Sequence, residues 1–136
     1  MAQNWLITPS SRPDRSLDIV RIVVALVLSV HSISRIIGGN VVGFGEYLGS
    51  IGFPLGVALA WFITLSTLAA SIALVIRRLV APACICHMIV LFMGILLNHM
   101  HDGWFVVGGG RNGMEYSVVL IACLFAVLWS YWPKKQ

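Results

Sequence analysis

The fold of this chain is decided by the stretch IGFPLGVALAWFITLSTLAASIALVI, residues 51–76, which contains no charged side chain. An α-helix rises about 1.5 Å per residue, so about 20 apolar residues cross the roughly 30 Å of hydrocarbon in a bilayer. Within hydrocarbon every backbone polar group must be satisfied inside the segment, and a helix does this. The stretch therefore predicts a membrane-spanning helix.

The rest of the chain is equally poor in charge. Its 136 residues include 9 Lys and Arg and 5 Asp and Glu, while 59% are hydrophobic. A soluble domain carries roughly 25% charged residues, so this composition excludes a soluble globular protein, and it also excludes a disordered segment and a disulfide scaffold. The basic residues form no stripe that would follow a phosphate backbone, so the expected partner is the lipid bilayer and not nucleic acid.

Three more apolar stretches flank the central one. The predicted helices span residues 17–38, 51–76, 79–99 and 114–132. The predicted fold class is therefore all-α, an integral membrane four-helix bundle, with one domain at 17–133 between short tails at 1–16 and 134–136. A stripe of apolar residues in the first loop also predicts a short helix lying in the membrane interface. That stripe consists of Phe44, Tyr47, Leu48 and Ile51.

The positions of the basic residues predict the orientation. Six of them flank the predicted helices on one side of the membrane: Arg12, Arg15, Arg77, Arg78, Lys134 and Lys135. Only Arg35 and Arg111 fall on the other side. Since cytoplasmic loops carry an excess of Lys and Arg, we expect both termini in the cytoplasm.

Polar residues gather at the predicted outer end of the bundle. His31 and Arg35 lie about 21 Å and 27 Å along the first helix, and the second outer loop brings more polar residues to that end. Hydrogen-bond donors beside lipid suit the carbonyl oxygens of a quinone headgroup, whose redox chemistry also needs protons. The candidate substrate or quinone site consists of His31, Arg35, His99, Glu115 and Tyr116.

Plainer interpretations of these residues remain open. Asn112 and Glu115 fit a capping box that begins the fourth helix. Arg35 could extend to the interface with Glu115 as its partner. His99, with His101 and Asp102, could bind a metal only if the loop folds back, and we predict no metal site. His31 and His99 also lie at heights that would suit two axial haem ligands.

A second polar group is expected near the inner side of the bundle. It consists of Asp18, Arg21, Thr67 and His87, whose positions along their helices are compatible with contact. Asp18 precedes Arg21 by three residues, so a structural ion pair is the default interpretation.

Several of these residues also carry a resemblance to a known family. The relevant segments are Arg21, the stretch 47–54 (YLGSIGFP), Ala60-Trp61-Phe62, and the block from His99 to Tyr116. The chain resembles the DoxX family of small bacterial membrane proteins over roughly residues 17–130. Members of that family commonly carry a glutamate midway along the second helix, where this chain has Thr67.

The resemblance implies a subunit of a quinone-linked oxidoreductase system in the bacterial cytoplasmic membrane, related to thiosulfate, thiol or oxidative-stress chemistry. Its implied cofactor is quinone, and its implied partner is another oxidoreductase subunit or a second copy. The alternative is a non-catalytic membrane scaffold that assembles a partner protein. A small-molecule transporter is less favoured because no carboxylate lies midway along any predicted helix.

Overall fold

The structure, a computed structural model, describes residues 13–107 and 112–132. These residues are helical apart from short turns and one loop, and no strand occurs among them, so the all-α prediction is confirmed. The elements are α1 (Pro13–Ile37), α2 (Val41–Ser50), α3 (Gly56–Val75), α4 (Val80–Gly94), a π-helical turn (Ile95–His99), α5 (Met100–Asp102) and α6 (Glu115–Tyr131). The rest of the predicted tails, 1–12 and 133–136, and the loop segment 108–111 lie outside the described residues.

Three helices are long and apolar enough to cross a membrane. They are α1 from Arg15 to Ile37, α3, and the continuous helix Val80–Asp102 formed by α4, the π-helical turn and α5. The last helix, α6, is apolar but shorter, at 17 residues. No more than a third of the residues in each long span are buried inside the chain, so most of their apolar surface faces outward. This arrangement fits a membrane protein.

Two helix starts differ from the prediction by four residues or more, and the helix that begins at Val80 ends at Asp102, three residues beyond the predicted 99. Among the described residues, α1 extends back to Pro13, four residues before the predicted start at 17. Helix α3 begins at Gly56 and not at 51. Gly52 and Leu55 both have positive φ, +99° and +56°, which turns the chain away from helical geometry before α3 starts.

The short helix predicted in the first loop is present as α2. Its buried face consists of Val41, Gly45 and Leu48, whereas the predicted stripe included Tyr47 and Ile51, which are exposed. A side chain at Gly45 would overlap the backbone of Val57, so glycine allows α2 to pack closely against α3. The side of α2 that is buried is therefore the side that contacts α3.

The long helices pack in pairs around one main core. Helix α1 packs against α3 and α6, and α4 packs against the same two helices. The buried residues of this core are Val24, Ala25, Leu28, Ala70, Leu74, Val80, Ala83, Cys84, Leu120, Leu124 and Val127. A smaller cluster of Val41, Leu48 and Ala60 joins α2 to the start of α3.

Candidate functional site

One face of α3 carries a row of polar groups toward α1 and α4. Thr64, Thr67, Ser71 and the carbonyl of Leu74 are spaced by three and four residues, which places them on one side of a helix. All four residues are buried. We call this row, with its partners on the neighbouring helices, the polar seam. It connects the end of the molecule near Arg21 with the end near Arg35.

At one end of the polar seam, Arg21 is buried, and all three of its guanidinium nitrogens donate hydrogen bonds. Its Nε and Nη2 donate to Asp18 Oδ1 at 3.2 Å and 3.1 Å, so the predicted ion pair is present. Its Nη1 donates to the carbonyls of Leu74 and Val75, the latter at 3.2 Å. These carbonyls belong to the last turn of α3, and the Leu74 carbonyl also accepts the Arg77 backbone N–H at 3.3 Å. Arg21 therefore helps to cap the C-terminus of α3.

Asp18 has two further partners besides Arg21. The Tyr131 hydroxyl donates to Asp18 Oδ1 at 3.0 Å, and the Arg77 guanidinium lies 3.7 Å from Asp18 Oδ2. Arg77 also lies over the ring of Tyr131, 5.5 Å from its centroid. A single carboxylate thereby ties the start of α1 to the end of α6 and to the turn between α3 and α4.

Thr67 and His87 do not join Arg21, contrary to the predicted inner cluster. The Thr67 hydroxyl forms a hydrogen bond with Ser32 at 2.8 Å, and His87 Nε2 forms one with the Ser71 hydroxyl at 3.1 Å. Thr67 lies seven residues before Leu74, which is about 10 Å along the axis of α3. That separation exceeds hydrogen-bond reach, so the four predicted residues form three separate contacts along the polar seam.

At the other end of the polar seam, Arg35 has different partners. Its Nη1 donates to Thr64 Oγ1 at 3.2 Å, and its guanidinium lies over the ring of Phe44 at 4.2 Å from the centroid. The Thr64 hydroxyl donates in turn to the Ala60 carbonyl at 2.7 Å. The expected pairing of Arg35 with Glu115 is therefore wrong, because α2 supplies an aromatic face that occupies the guanidinium.

The side chain of Glu115 holds the loop between α5 and α6. Its Oε1 accepts a hydrogen bond from the Val106 backbone N–H at 2.9 Å, and its own N–H donates to the Trp104 carbonyl at 3.1 Å. The predicted capping box is wrong, since Met114 is the residue at the N-cap and no side chain caps α6 there. The carboxylate folds back onto the loop instead of onto the helix start.

His99, in the π-helical turn, contacts the same loop. Its Nδ1 lies 2.8 Å from the backbone carbonyl of Asn112. A carbonyl only accepts, so Nδ1 carries the proton, and in a neutral imidazole Nε2 then holds a lone pair. The half-buried ring lies against Gly94, where a side chain would contact its Cδ2 and Nε2. Nε2 is thus a defined proton acceptor at this end of the molecule.

The five predicted outer residues fall into separate contacts. Within the part of the chain that the structure describes, no hydrogen bond or ion pair joins any two of them, and His31 and Tyr116 are exposed on their helices. In residues 13–107 and 112–132, no group of three or more His, Cys, Asp or Glu side chains is arranged to hold a metal ion. His99, His101 and Asp102 therefore form no such group.

Sequence reasoning missed several residues that the seam uses. Ser32, Thr64 and Ser71 are buried hydrogen-bond partners, and Tyr131 reaches Asp18 from α6. The spacing of Thr64, Thr67 and Ser71 within an otherwise apolar helix was the signal that could have identified the seam.

No family model, no curated protein and no solved structure matches the chain.

Proposed function

We propose that this protein is an integral subunit of a quinone-linked oxidoreductase system in the bacterial cytoplasmic membrane, a relative of the DoxX family. In this proposal α1, α3, the helix Val80–Asp102 and α6 form a four-helix membrane bundle with both termini in the cytoplasm. A quinone headgroup or small substrate binds at the outer end near His31, Arg35, His99, Glu115 and Tyr116. The observation that carries the proposal is the 2.8 Å contact between His99 Nδ1 and the Asn112 carbonyl, from which the tautomer of His99 is inferred.

The tautomer of His99 suits the chemistry of a quinone and its reduced form. A neutral imidazole with Nδ1 bound to a carbonyl can accept a proton at Nε2 from a hydroquinone hydroxyl. Once protonated, the same Nε2 can donate to a quinone carbonyl. Oxidation of a hydroquinone releases two protons and two electrons, so His99 would take one proton, water at the membrane surface would take the other, and both electrons would pass to the partner oxidoreductase subunit.

The surroundings of His99 support a site of this kind. The loop that holds its Nδ1 also presents Trp104 and Phe105, which are 49% and 64% exposed. Aromatic rings are common at membrane interfaces, and they offer a flat apolar surface to a planar headgroup. Arg35 adds a positive charge. Its guanidinium contacts a hydroxyl and an aromatic ring, and no carboxylate among the described residues pairs with it.

Quinone retention tests the proposal. The protein is purified in a mild detergent, its absorption spectrum is recorded, and quinone is extracted and quantified against protein. We expect near-stoichiometric quinone in the natural chain and a loss of about tenfold in the double variant His99→Ala, Glu115→Gln, the size expected for a charge-assisted hydrogen bond. His101→Ala is the matched control, since it removes an exposed imidazole two residues away. Unchanged retention in the double variant would overturn the site.

A specific observation favours the second candidate, a non-catalytic scaffold that assembles a partner protein. In the described residues every buried side-chain nitrogen and oxygen has a hydrogen-bond partner inside the chain, so the polar seam needs no ligand to be stable. This candidate predicts a stable protein partner on co-purification and no bound quinone. Stoichiometric quinone in the isolated protein would contradict it.

A further inference from the structure

A groove opens beside the end of α3 and leads to the turn before α4. It has a volume of about 570 Å³. Its walls are apolar along α3 and become basic at the turn: Ala69, Ile72, Ala73, Ile76, Leu79, Arg77 and Arg78. Ala69 and Ala73 are four residues apart on one face, and their small side chains leave room between the larger neighbours. From Ala69 to Val75, the last residue of α3, the groove follows about 9 Å of helix.

The two arginines at the end of the groove differ in their partners. Arg77 lies 3.7 Å from the Asp18 carboxylate and over the Tyr131 ring, so its charge is already shared. Arg78 is exposed, and its guanidinium takes part in no hydrogen bond or ion pair that the structure records for residues 13–107 and 112–132. The turn thus presents one positive charge that no carboxylate balances, directly beside an apolar groove.

A ligand that matches both features carries an anion and an apolar chain in one molecule. Ile72, Ile76 and Leu79 are 54%, 57% and 75% exposed. Ile72 lies on α3, which is long and apolar enough to cross a membrane, and the other two lie in the turn that follows it. A free phosphate would use the arginine and leave the groove empty. A zwitterionic lipid would fill the groove but carries a cation that already balances its phosphate. Basic residues at a membrane surface attract anionic lipids by about a fivefold preference each.

We infer that the groove from Ala69 to Leu79 binds one acyl chain of an anionic phospholipid, whose phosphate is held by Arg78 with support from Arg77. The inference depends on the chain being embedded in a bilayer and is independent of the proposed quinone site. Asp18 lies 3.7 Å from the Arg77 guanidinium and orients it, whereas Arg78 has no such carboxylate partner among the described residues and can bind the phosphate.

Native mass spectrometry of the full chain tests the headgroup contact. The protein is equilibrated in mild detergent with equal amounts of phosphatidylglycerol and phosphatidylcholine that carry the same acyl chains. We expect the natural chain to retain phosphatidylglycerol about fivefold more than phosphatidylcholine, and Arg78→Gln to remove that preference. Arg15→Gln is the matched control, because it removes one exposed positive charge near the start of α1, the same end of the molecule. An equal loss in Arg15→Gln would overturn the site.

A second pair of variants tests the groove. Ala69→Leu fills the groove at an exposed position, and we expect it to reduce retention of both lipids several-fold. Ala58→Leu makes the same enlargement at an exposed position near the start of α3 and should leave retention unchanged. Glycerol phosphate, which has the headgroup but no acyl chain, should not displace the bound lipid at equal concentration. Displacement by glycerol phosphate, or equal effects of the two enlargements, would contradict lipid binding in the groove.

Discussion

The two ends of the polar seam each place an arginine of α1 against α3, yet the two arginines are held differently. Arg21 and Arg35 are 14 residues apart, about four helical turns. Arg21 contacts a carboxylate and two carbonyls at the end of α3. Arg35 contacts one hydroxyl and the face of one aromatic ring. Among the described residues, the same residue type therefore meets a counter-ion at one end and none at the other.

This difference indicates that Arg21 has a structural role, whereas Arg35 is available to bind a ligand. At the Arg21 end, charge and hydrogen-bonding capacity are used inside the chain, where they join α1, α3, α6 and the turn before α4. At the Arg35 end, the positive charge keeps its capacity for an anionic or electron-rich group. We therefore look for ligand binding near Arg35 and for stability near Arg21.

Replacing each arginine by methionine should give the largest difference in the free energy of unfolding between the two ends of the polar seam. Arg21→Met removes charge-assisted hydrogen bonds to Asp18 and leaves the carbonyls of Leu74 and Val75 without that cap, so we expect the free energy of unfolding to fall by about 3 kcal/mol. Arg35→Met removes one longer hydrogen bond and one cation–π contact, so we expect a loss of about 1 kcal/mol. Denaturant unfolding of both variants in one detergent measures the difference.

Arg78→Gln serves as the control for this pair, since it removes an exposed arginine that makes no recorded internal contact, and its stability should match that of the natural chain. If Arg35→Met destabilised the protein as much as Arg21→Met, the distinction between the two ends of the seam would be wrong.

The middle of the seam should show an intermediate effect. Ser71→Ala leaves the buried Nε2 of His87 without its partner, and an unsatisfied buried polar group costs about 1–3 kcal/mol. We expect a loss of about 2 kcal/mol in the same unfolding measurement. Ser66→Ala is the matched control: the Ser66 hydroxyl donates only to the Ile63 carbonyl of its own helix. Equal losses for the two variants would show that the contact between His87 and Ser71 contributes nothing specific.

Hydropathy and charge were sufficient to predict the helical class of this chain and the approximate extent of its long helices. They failed at the start of α3, because the positive φ of Leu55 is a backbone property that a hydropathy pattern does not carry. They also failed to identify the buried side of α2. That side depends on Gly45, whose importance comes from the close approach of Val57 and not from any apolar side chain.

The polar contacts were predictable only where they are local in the chain. The pair Asp18 and Arg21 follows from a spacing of three residues, whereas the contact of Ser32 with Thr67 joins two helices and depends on their relative height. Glu115 shows the same limit. Its spacing from Asn112 fits a capping box. In the structure the loop instead brings the Val106 N–H within hydrogen-bond distance of the Glu115 carboxylate. Knowledge of helix pairing is required before such contacts can be assigned.

The smallest expected effect concerns the contact between α2 and the π-helical turn. The Tyr47 hydroxyl of α2 donates to the Leu97 carbonyl in the π-helical turn at 2.9 Å, at an exposed position. Because water can replace this bond, Tyr47→Phe should lower the free energy of unfolding by only about 0.5–1 kcal/mol. Tyr116→Phe is the control, since the exposed Tyr116 hydroxyl has no recorded partner. A loss as large as that of Arg21→Met would show that α2 is held to the π-helical turn as firmly as α1 is held to the end of α3. The free binding capacity that we assign to the Arg35 end would then need another origin.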